Sequence, residues 1–323
     1  MRDKAGDGFF RNRLFLTEKI GLNIYEIQVI RPHVLKINTS DGTFIVKGFE
    51  SKKKLEAQIQ LARLLKYYGS SHHISFHKLR DNLDYFWSDQ KFWAVMPYVK
   101  PIRNFTYSRE TDRLNGVKRL IQFHDDTGKV RRKVRELFDS YCLLSKWRER
   151  YLTFTHYSSY IMQWIDYQSI NTITNIGYWV LEHLSERDLA LLEGEAKQAA
   201  SLIHGDCAEH NFILNSTGVY LIDYDLVARA PYSYDLLQFA NRILPYLEWS
   251  LEELEKIEPF SHLIQQQWFI TALMFPTDIY REWNRHLRQE KPSVNKLRSL
   301  QQWTQNEVKQ RKKFVEKIQA MVR

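Results

Sequence analysis

Three residues carry the chemistry that can be argued from this chain: Asp206, Asn211 and Asp223. They sit in Leu202-Ile203-His204-Gly205-Asp206-Cys207-Ala208-Glu209-His210-Asn211-Phe212-Ile213-Leu214, followed by Val219-Tyr220-Leu221-Ile222-Asp223-Tyr224-Asp225. Phosphoryl transfer needs a carboxylate that accepts or orients the proton of an acceptor hydroxyl. It also needs an amide oxygen and a second carboxylate that hold Mg²⁺ against nucleotide phosphates. Magnesium takes hard oxygen ligands, so Asp and Asn suit it and Cys does not. His204 and Gly205 complete the run around Asp206, and Asp, Asn and Gly also favour ordinary turns.

These groups have to be brought together by the elements around them. Phe212-Ile213-Leu214 reads as a strand, Asn215 to Gly218 as a turn, and Val219 to Ile222 as the returning strand. A hairpin of that length puts Asp223 back beside Asn211. Upstream, Glu26 to Val29 is a short strand. Val34 to Thr39 and Thr43 to Lys47 flank Ser40-Asp41-Gly42, a strong hairpin signal. Alternation places Ile45 and Lys47 on one face and Phe44 and Val46 on the other. A lysine on so apolar a strand needs an anionic partner if it is buried. Leu55, Ile59, Ala62 and Leu65 then mark a helix, and Tyr85 to Trp87 with Phe92 to Met96 a second hairpin that Pro97 ends. The rest is mainly helical: Leu114 to His124, Glu186 to Ala200 capped by Ser185, a helical region from Tyr234, a capping box at Ser250, and Val294 to Val322. Strands first and helices after, with a small β-island at 202–227, is an α+β pattern.

Composition sets the bounds. The chain has 323 residues, 44% hydrophobic and 26% charged, which excludes wholesale disorder and collagen-like or disulfide-scaffold classes. Its net charge of +9 favours acidic partners such as nucleotides, nucleic acid or anionic surfaces, without choosing among them. Cys142 and Cys207 belong to no CxxC pair, so a reduced intracellular protein without cysteine metal clusters is expected. His72-His73 reads as a surface loop pair. Arg11, Arg13, Glu18 and Lys19 interrupt any signal-peptide run, and no stretch approaches a membrane span.

The order His204-x-Asp206-x-x-x-x-Asn211, strand, turn, strand, Ile222-Asp223-Tyr224-Asp225 resembles the aminoglycoside phosphotransferase and choline kinase group. Arg229-Ala230-Pro231-Tyr232-Ser233-Tyr234-Asp235-Leu236 resembles that group's next segment. With Phe275-Pro276, the chain looks most like the CotS/YutH family of spore-coat-associated kinase-like proteins within it. The resemblance runs from about Ile24 to about Leu287. It implies a protein-kinase-like bilobal fold, with a β-rich N-lobe over 1–98 and a helical C-lobe over 99–323. Asp206 then matches the catalytic base, His204 the brace of the catalytic loop, and Asn211 and Asp223 the Mg²⁺ ligands. Asp235 matches the acid that starts the next helix. Lys47 matches the lysine that meets the ATP phosphates, with Glu56 as its helix partner and Glu50 as a competitor. Trp93 to Val99 resembles the strand whose backbone meets adenine, through main-chain groups of Met96 and Tyr98.

The implied activity is ATP- and Mg²⁺-dependent transfer to a hydroxyl of a small molecule or protein. The alternative is a kinase-fold binding protein of the spore coat with little or no turnover. One departure favours the alternative. Where a glycine-rich loop would cover the phosphates, Ile30-Arg31-Pro32-His33 has no glycine. Cytoplasmic location, spore-coat partners and no nucleic-acid partner complete the expectation. Lys52 to Lys54, Lys129 to Arg135 and Lys309 to Lys313 read mainly as solvated helix faces. Trp147, Trp164, Tyr167 and Trp179 could form an aromatic box for a quaternary ammonium, with core packing the default.

Overall fold

The computed structural model describes residues 12–289 and 293–322. The signal-peptide reading therefore lies partly outside the described residues. The chain forms two compact units. The first takes the described residues up to Thr106, Asn115–Asp139 and Ala200–Arg229. The second takes Tyr107–Leu114, Ser140–Ala199 and the described residues from Ala230 on.

The first unit is built on an antiparallel sheet in the order β1-β2-β3-β5-β4, formed by β1 (Ile24–Arg31), β2 (Val34–Thr39), β3 (Gly42–Phe49), β4 (Phe86–Ser88) and β5 (Lys91–Pro97). Burial alternates along β2 and β3, as strict period two requires. Leu35, Ile37, Phe44, Val46, Trp93 and Val95 face a core closed by Leu16 and Ile20 of α1 (Arg13–Ile20). Val34, Ile45 and Lys47 are therefore left on the opposite face. Asp41-Gly42 makes the expected hairpin, with Thr39 opposite Gly42. Helix α2 (Lys52–Tyr67) starts where the Ser51 side chain accepts from the Lys54 N–H. It buries Leu55, Gln58, Ile59, Leu61, Ala62 and Leu65.

Helix α3 (Glu110–Val134) extends well beyond the predicted Leu114–His124. The β-island is two small sheets. β6 (Leu202–Ile203) pairs with β9 (Ala228–Arg229), and β7 (Phe212–Asn215) pairs with β8 (Gly218–Leu221).

The second unit is helical: α4 (Leu143–His156), α5 (Tyr167–His183), α6 (Glu186–Ala199), α7 (Tyr232–Ile243), α8 (Gln267–Leu273), α9 (Thr277–Leu287) and α10 (Val294–Met321). Ser185 and Ser250 accept from Asp188 and Glu253 N–H groups, so both predicted caps form. Gly177 has no Cβ in the space taken by Tyr280, whose hydroxyl donates to the Ile173 carbonyl at 2.8 Å. This lets α5 and α9 approach closely. In the basic run of α10, Arg311 is not a surface residue. It is buried against Asp278 at 2.8 Å and over the Trp249 ring. No helix among the described residues is long and apolar enough to cross a membrane.

Candidate active site

Residues 204–211, Asp223 and Lys47 all belong to the first unit. After β6, His204 is fully buried. A carbonyl can only accept, so its Nε2–H donates to the Ile222 carbonyl at 3.0 Å. That leaves Nδ1 to accept from the Asp206 N–H at 3.3 Å and fixes the neutral tautomer. His204 thus ties the loop carrying Asp206 to the residue preceding Asp223. Phe123 and Tyr224 hold the ring by edge contacts at 5.7 and 5.6 Å. Gly205 is needed at its position. Its φ is +79°, and a Cβ there would land on the Leu226 carbonyl oxygen.

The hairpin closes the site from the other side. Phe212 pairs with Leu221, and the Ile222 N–H donates to the Asn211 carbonyl at 2.9 Å, which sets Asn211 beside the end of β8. The Asn211 amide donates to both the Asp206 carbonyl and Asp206 Oδ2 at 3.0 Å. Asp223 follows in a left-handed conformation, φ 70° and ψ 73°, uncommon outside glycine and tolerated best by Asp and Asn.

Lys47 reaches this cluster from β3. Its Nζ donates to Asp223 Oδ1 and to Asp225 Oδ2, both at 2.7 Å. Burial acts to raise the Asp223 carboxyl, but the Lys47 ammonium outweighs it and holds the group below the ordinary carboxylate range. Gln58 of α2 donates to the other Asp225 oxygen at 3.1 Å.

Glu56 as the partner of Lys47 is corrected here. Its side chain is about half exposed and accepts from the Tyr85 hydroxyl, with Lys52 nearby. Two residues before Gln58, it lies about 200° around the helix, on the outer face. The competitor Glu50 pairs with Lys91. Sequence reading missed Gln58 and gave Asp225 no role. Gln58 is the one polar residue on the buried face of α2 within the pattern Leu55, Ile59, Ala62, and that was the available signal.

A metal ion fits the donors present. Asn211 Oδ1 is buried with no hydrogen-bond partner, because the amide's nitrogen serves Asp206. With Asp223, it offers hard oxygens of the kind Mg²⁺ takes when substrate phosphates complete its shell. No group of three or more His, Cys, Asp or Glu with metal-holding geometry occurs among the described residues. A site of one amide and one carboxylate accords with an ion that arrives with a nucleotide.

A cavity of about 760 Å³ adjoins this cluster within the same unit. Val34 and Ile45 line it from the sheet, Ile213 and Ile222 from the hairpin, and Met96 to Lys100 along one edge. His72 and His73 also line it, and His72 bonds the Thr217 carbonyl, so the pair is more than a surface loop.

The main-chain roles given to Met96 and Tyr98 are corrected. The Tyr98 N–H donates to the Thr43 carbonyl at 3.0 Å, and Met96 lies opposite Ile45 in the same register. Antiparallel pairing alternates, so residues 94, 96 and 98 direct their backbone groups at β3. Pro97, of opposite parity, directs its carbonyl away from it.

In the second unit, the aromatic box does not assemble. Trp147 stacks on Phe275 with centroids 4.1 Å apart, Trp179 stacks on His183, and Tyr167 is exposed. Asp235 is buried in the first turn of α7 and is not its N-cap, a place held by Pro231.

The phosphotransferase enzyme family (APH) matches residues 32–255. Comparison with curated proteins gives no match. Among solved structures, an aminoglycoside phosphotransferase from Alicyclobacillus acidocaldarius superposes with a TM-score of 0.72 at 15% identity, covering 94% of each chain. Spectinomycin phosphotransferase APH(9)-Ia, solved with ADP and spectinomycin, gives 0.53 at 16% identity, covering 94% of this chain and 92% of its own. Choline kinase LicA from Streptococcus pneumoniae gives 0.50 at 13%, covering 92% and 97%. The shared fold is kinase-like, a small antiparallel-sheet lobe with a larger helical lobe.

Proposed function

The chain belongs to the phosphotransferase enzyme family, and on that premise we propose that it transfers the terminal phosphoryl group of ATP to a hydroxyl of a small molecule. The observation that carries this reading is the convergence of Lys47, Asp206, Asn211 and Asp223 beside a cavity of nucleotide size. The acceptor oxygen bonds to the terminal phosphorus as the bond to the bridging oxygen breaks, and the hydroxyl proton passes to Asp206. Asn211 keeps the Asp206 carboxylate oriented by donating to Oδ2. Bound at Asn211 and Asp223, Mg²⁺ supplies charge neutralisation at the phosphates.

The cavity's composition supports a polyanionic ligand: Arg31, Lys47, Lys66 and Lys100 line it, against the single carboxylate of Asp223 among the described residues. Strand parity supports adenine. The Pro97 carbonyl accepts and, on this reading, the N–H of Val99 on the cavity lining donates, which matches the adjacent N6 donor and N1 acceptor of adenine. Structures of similar fold were solved with ADP and with AMP-PNP and Ca²⁺, in keeping with nucleotide use. The finer placement in the spore-coat-associated CotS/YutH branch, with coat proteins as partners and a cytoplasmic or coat location, rests on the motif resemblance.

The second reading, a kinase-fold protein of little turnover, is favoured by one observation: Lys47 is engaged by two carboxylates. Thermal shift and ADP release with Mg·ATP separate the two. Under the first, wild-type protein is stabilised and turns over in the presence of its acceptor. Asp206→Asn then loses about 10²–10⁴-fold in kcat while nucleotide affinity stays within about threefold. Asp223→Ala loses both. Absence of both shift and turnover at millimolar Mg·ATP sinks the transferase reading.

A further inference from the structure

The turn between β1 and β2, where phosphate cover would be expected, is closed and short. Pro32 and His33 form it, with His33 at φ 68°, and the His33 carbonyl accepts from the Gly48 N–H at 2.9 Å. A two-residue turn pinned to β3 cannot wrap a polyphosphate with backbone amides. The strand leading into it is irregular. Val29 lies opposite Leu35 and Arg31 opposite Val34, so Ile30 is an extra residue in β1. Such a bulge re-aims side chains, and both Ile30 and Arg31 line the cavity.

The register then makes a row. Arg31 lies opposite Val34, and Val34 opposite Lys47. Cross-strand partners share a face, so Arg31 and Lys47 project from the same side of the sheet, two strand spacings or roughly 10 Å apart at Cα. Lys47 is held by Asp223 and Asp225, whereas the described residues include no ion-pair partner for Arg31. Its guanidinium presents planar N–H donors suited to phosphate.

We propose that Arg31 is a phosphate-binding residue that takes over, by one side chain, the role that backbone amides of a glycine-rich loop would play. This rests on the nucleotide reading of the cavity. Calorimetric titration with ADP and with adenosine, both in excess Mg²⁺, tests it. Arg31→Ala should weaken ADP about 10- to 100-fold and leave adenosine within about twofold. Arg31→Lys should recover part of the loss, since it keeps the charge without the fork. Lys47→Met, measured in parallel, should also weaken ADP selectively. If Lys47→Met weakens ADP and Arg31→Ala does not, the Arg31 role is overturned and the nucleotide reading stands. Equal loss of ADP and adenosine in Arg31→Ala also overturns it, because the residue would then be shaping the cavity. A wild-type protein that binds neither ligand overturns both readings.

Discussion

At the scale of single residues, the cluster around Lys47 is settled by donor and acceptor count. Asp225 receives one hydrogen bond from Lys47 and one from Gln58, on different oxygens. Gln58 can fill that place because its amide donates, and a glutamate could not. Gln58→Glu would set a buried carboxylate within about 3 Å of the half-exposed Asp225 carboxylate. The expected cost is about 1–3 kcal/mol of stability, measured by urea unfolding. The crowding raises a carboxyl pKa in the folded state, so the loss should be full at pH 7–8 and ease as pH falls and one group takes a proton. A pH-independent loss would show that Gln58 acts only by packing. The wild-type Asp223 behaves oppositely. Its folded pKa is depressed, so its contribution is present above the ordinary carboxylate range and is lost only as pH falls through that lowered value. Stability between pH 5 and 8 should not respond to it. The meeting of Asp206 with Asn211, and of Asn211 with the residue before Asp223, was legible in sequence because a five-residue loop step and the hairpin after it fix both. Gln58 and Asp225 were not, since they meet across 167 positions and only the rotational phase of α2 selects Gln58 over Glu56.

At the scale of elements, the turns and caps were readable because they depend on local chemistry. Asp41-Gly42 made the hairpin and Ser185 and Ser250 made the caps. Strand β5, between β3 and β4, was harder. Which of its backbone groups face the cavity depends on its pairing with β3, and that parity is not written in β5 itself. The same parity yields a prediction. Guanine presents O6 and N1–H where adenine presents N6–H and N1, so it would set acceptor against the Pro97 carbonyl and donor against the Val99 N–H. Proline has no N–H to offer O6 in exchange. The ratio of kcat/KM for ATP over GTP should be at least about tenfold, and equal use of the two would remove this edge of the cavity as the base-reading element. The loop between β6 and the hairpin is as demanding. Gly205→Ala forces a side chain onto the Leu226 carbonyl at a positive φ, and should cost about 1–3 kcal/mol in thermal unfolding together with most of the turnover. A variant with wild-type stability and rate would mean that the loop can shift without consequence.

At the scale of the whole molecule, the site draws on stretches far apart in sequence. Lys47 and Gln58 come from the first stretch of their compact unit and Asp206 to Asp225 from its last, with residues of the second unit between them in the chain. A fragment ending at residue 98 would carry Lys47 without either carboxylate that neutralises it. The net charge of +9 acquires an address in the same way. Part of it is spent internally, as at the buried Arg311 on Asp278 and Glu307. Four cationic side chains instead line the cavity with one carboxylate among the described residues. Charges in a concave site focus the field on an incoming anion, and salt screens that attraction with a Debye length of about 10 Å at 0.1 M and 3 Å at 1 M. Raising KCl from 50 to 500 mM should therefore raise KM for Mg·ATP several-fold while kcat changes less than about twofold. Adenosine affinity, which has no charge to screen, should stay flat over the same range. Arg31→Ala should show a shallower salt dependence than the wild type, because one of the cations facing the ligand has gone. A KM for Mg·ATP that is flat in salt, in a protein that still turns over, would mean that the cavity's cations do not face the nucleotide, and it would place the excess charge in the service of another partner.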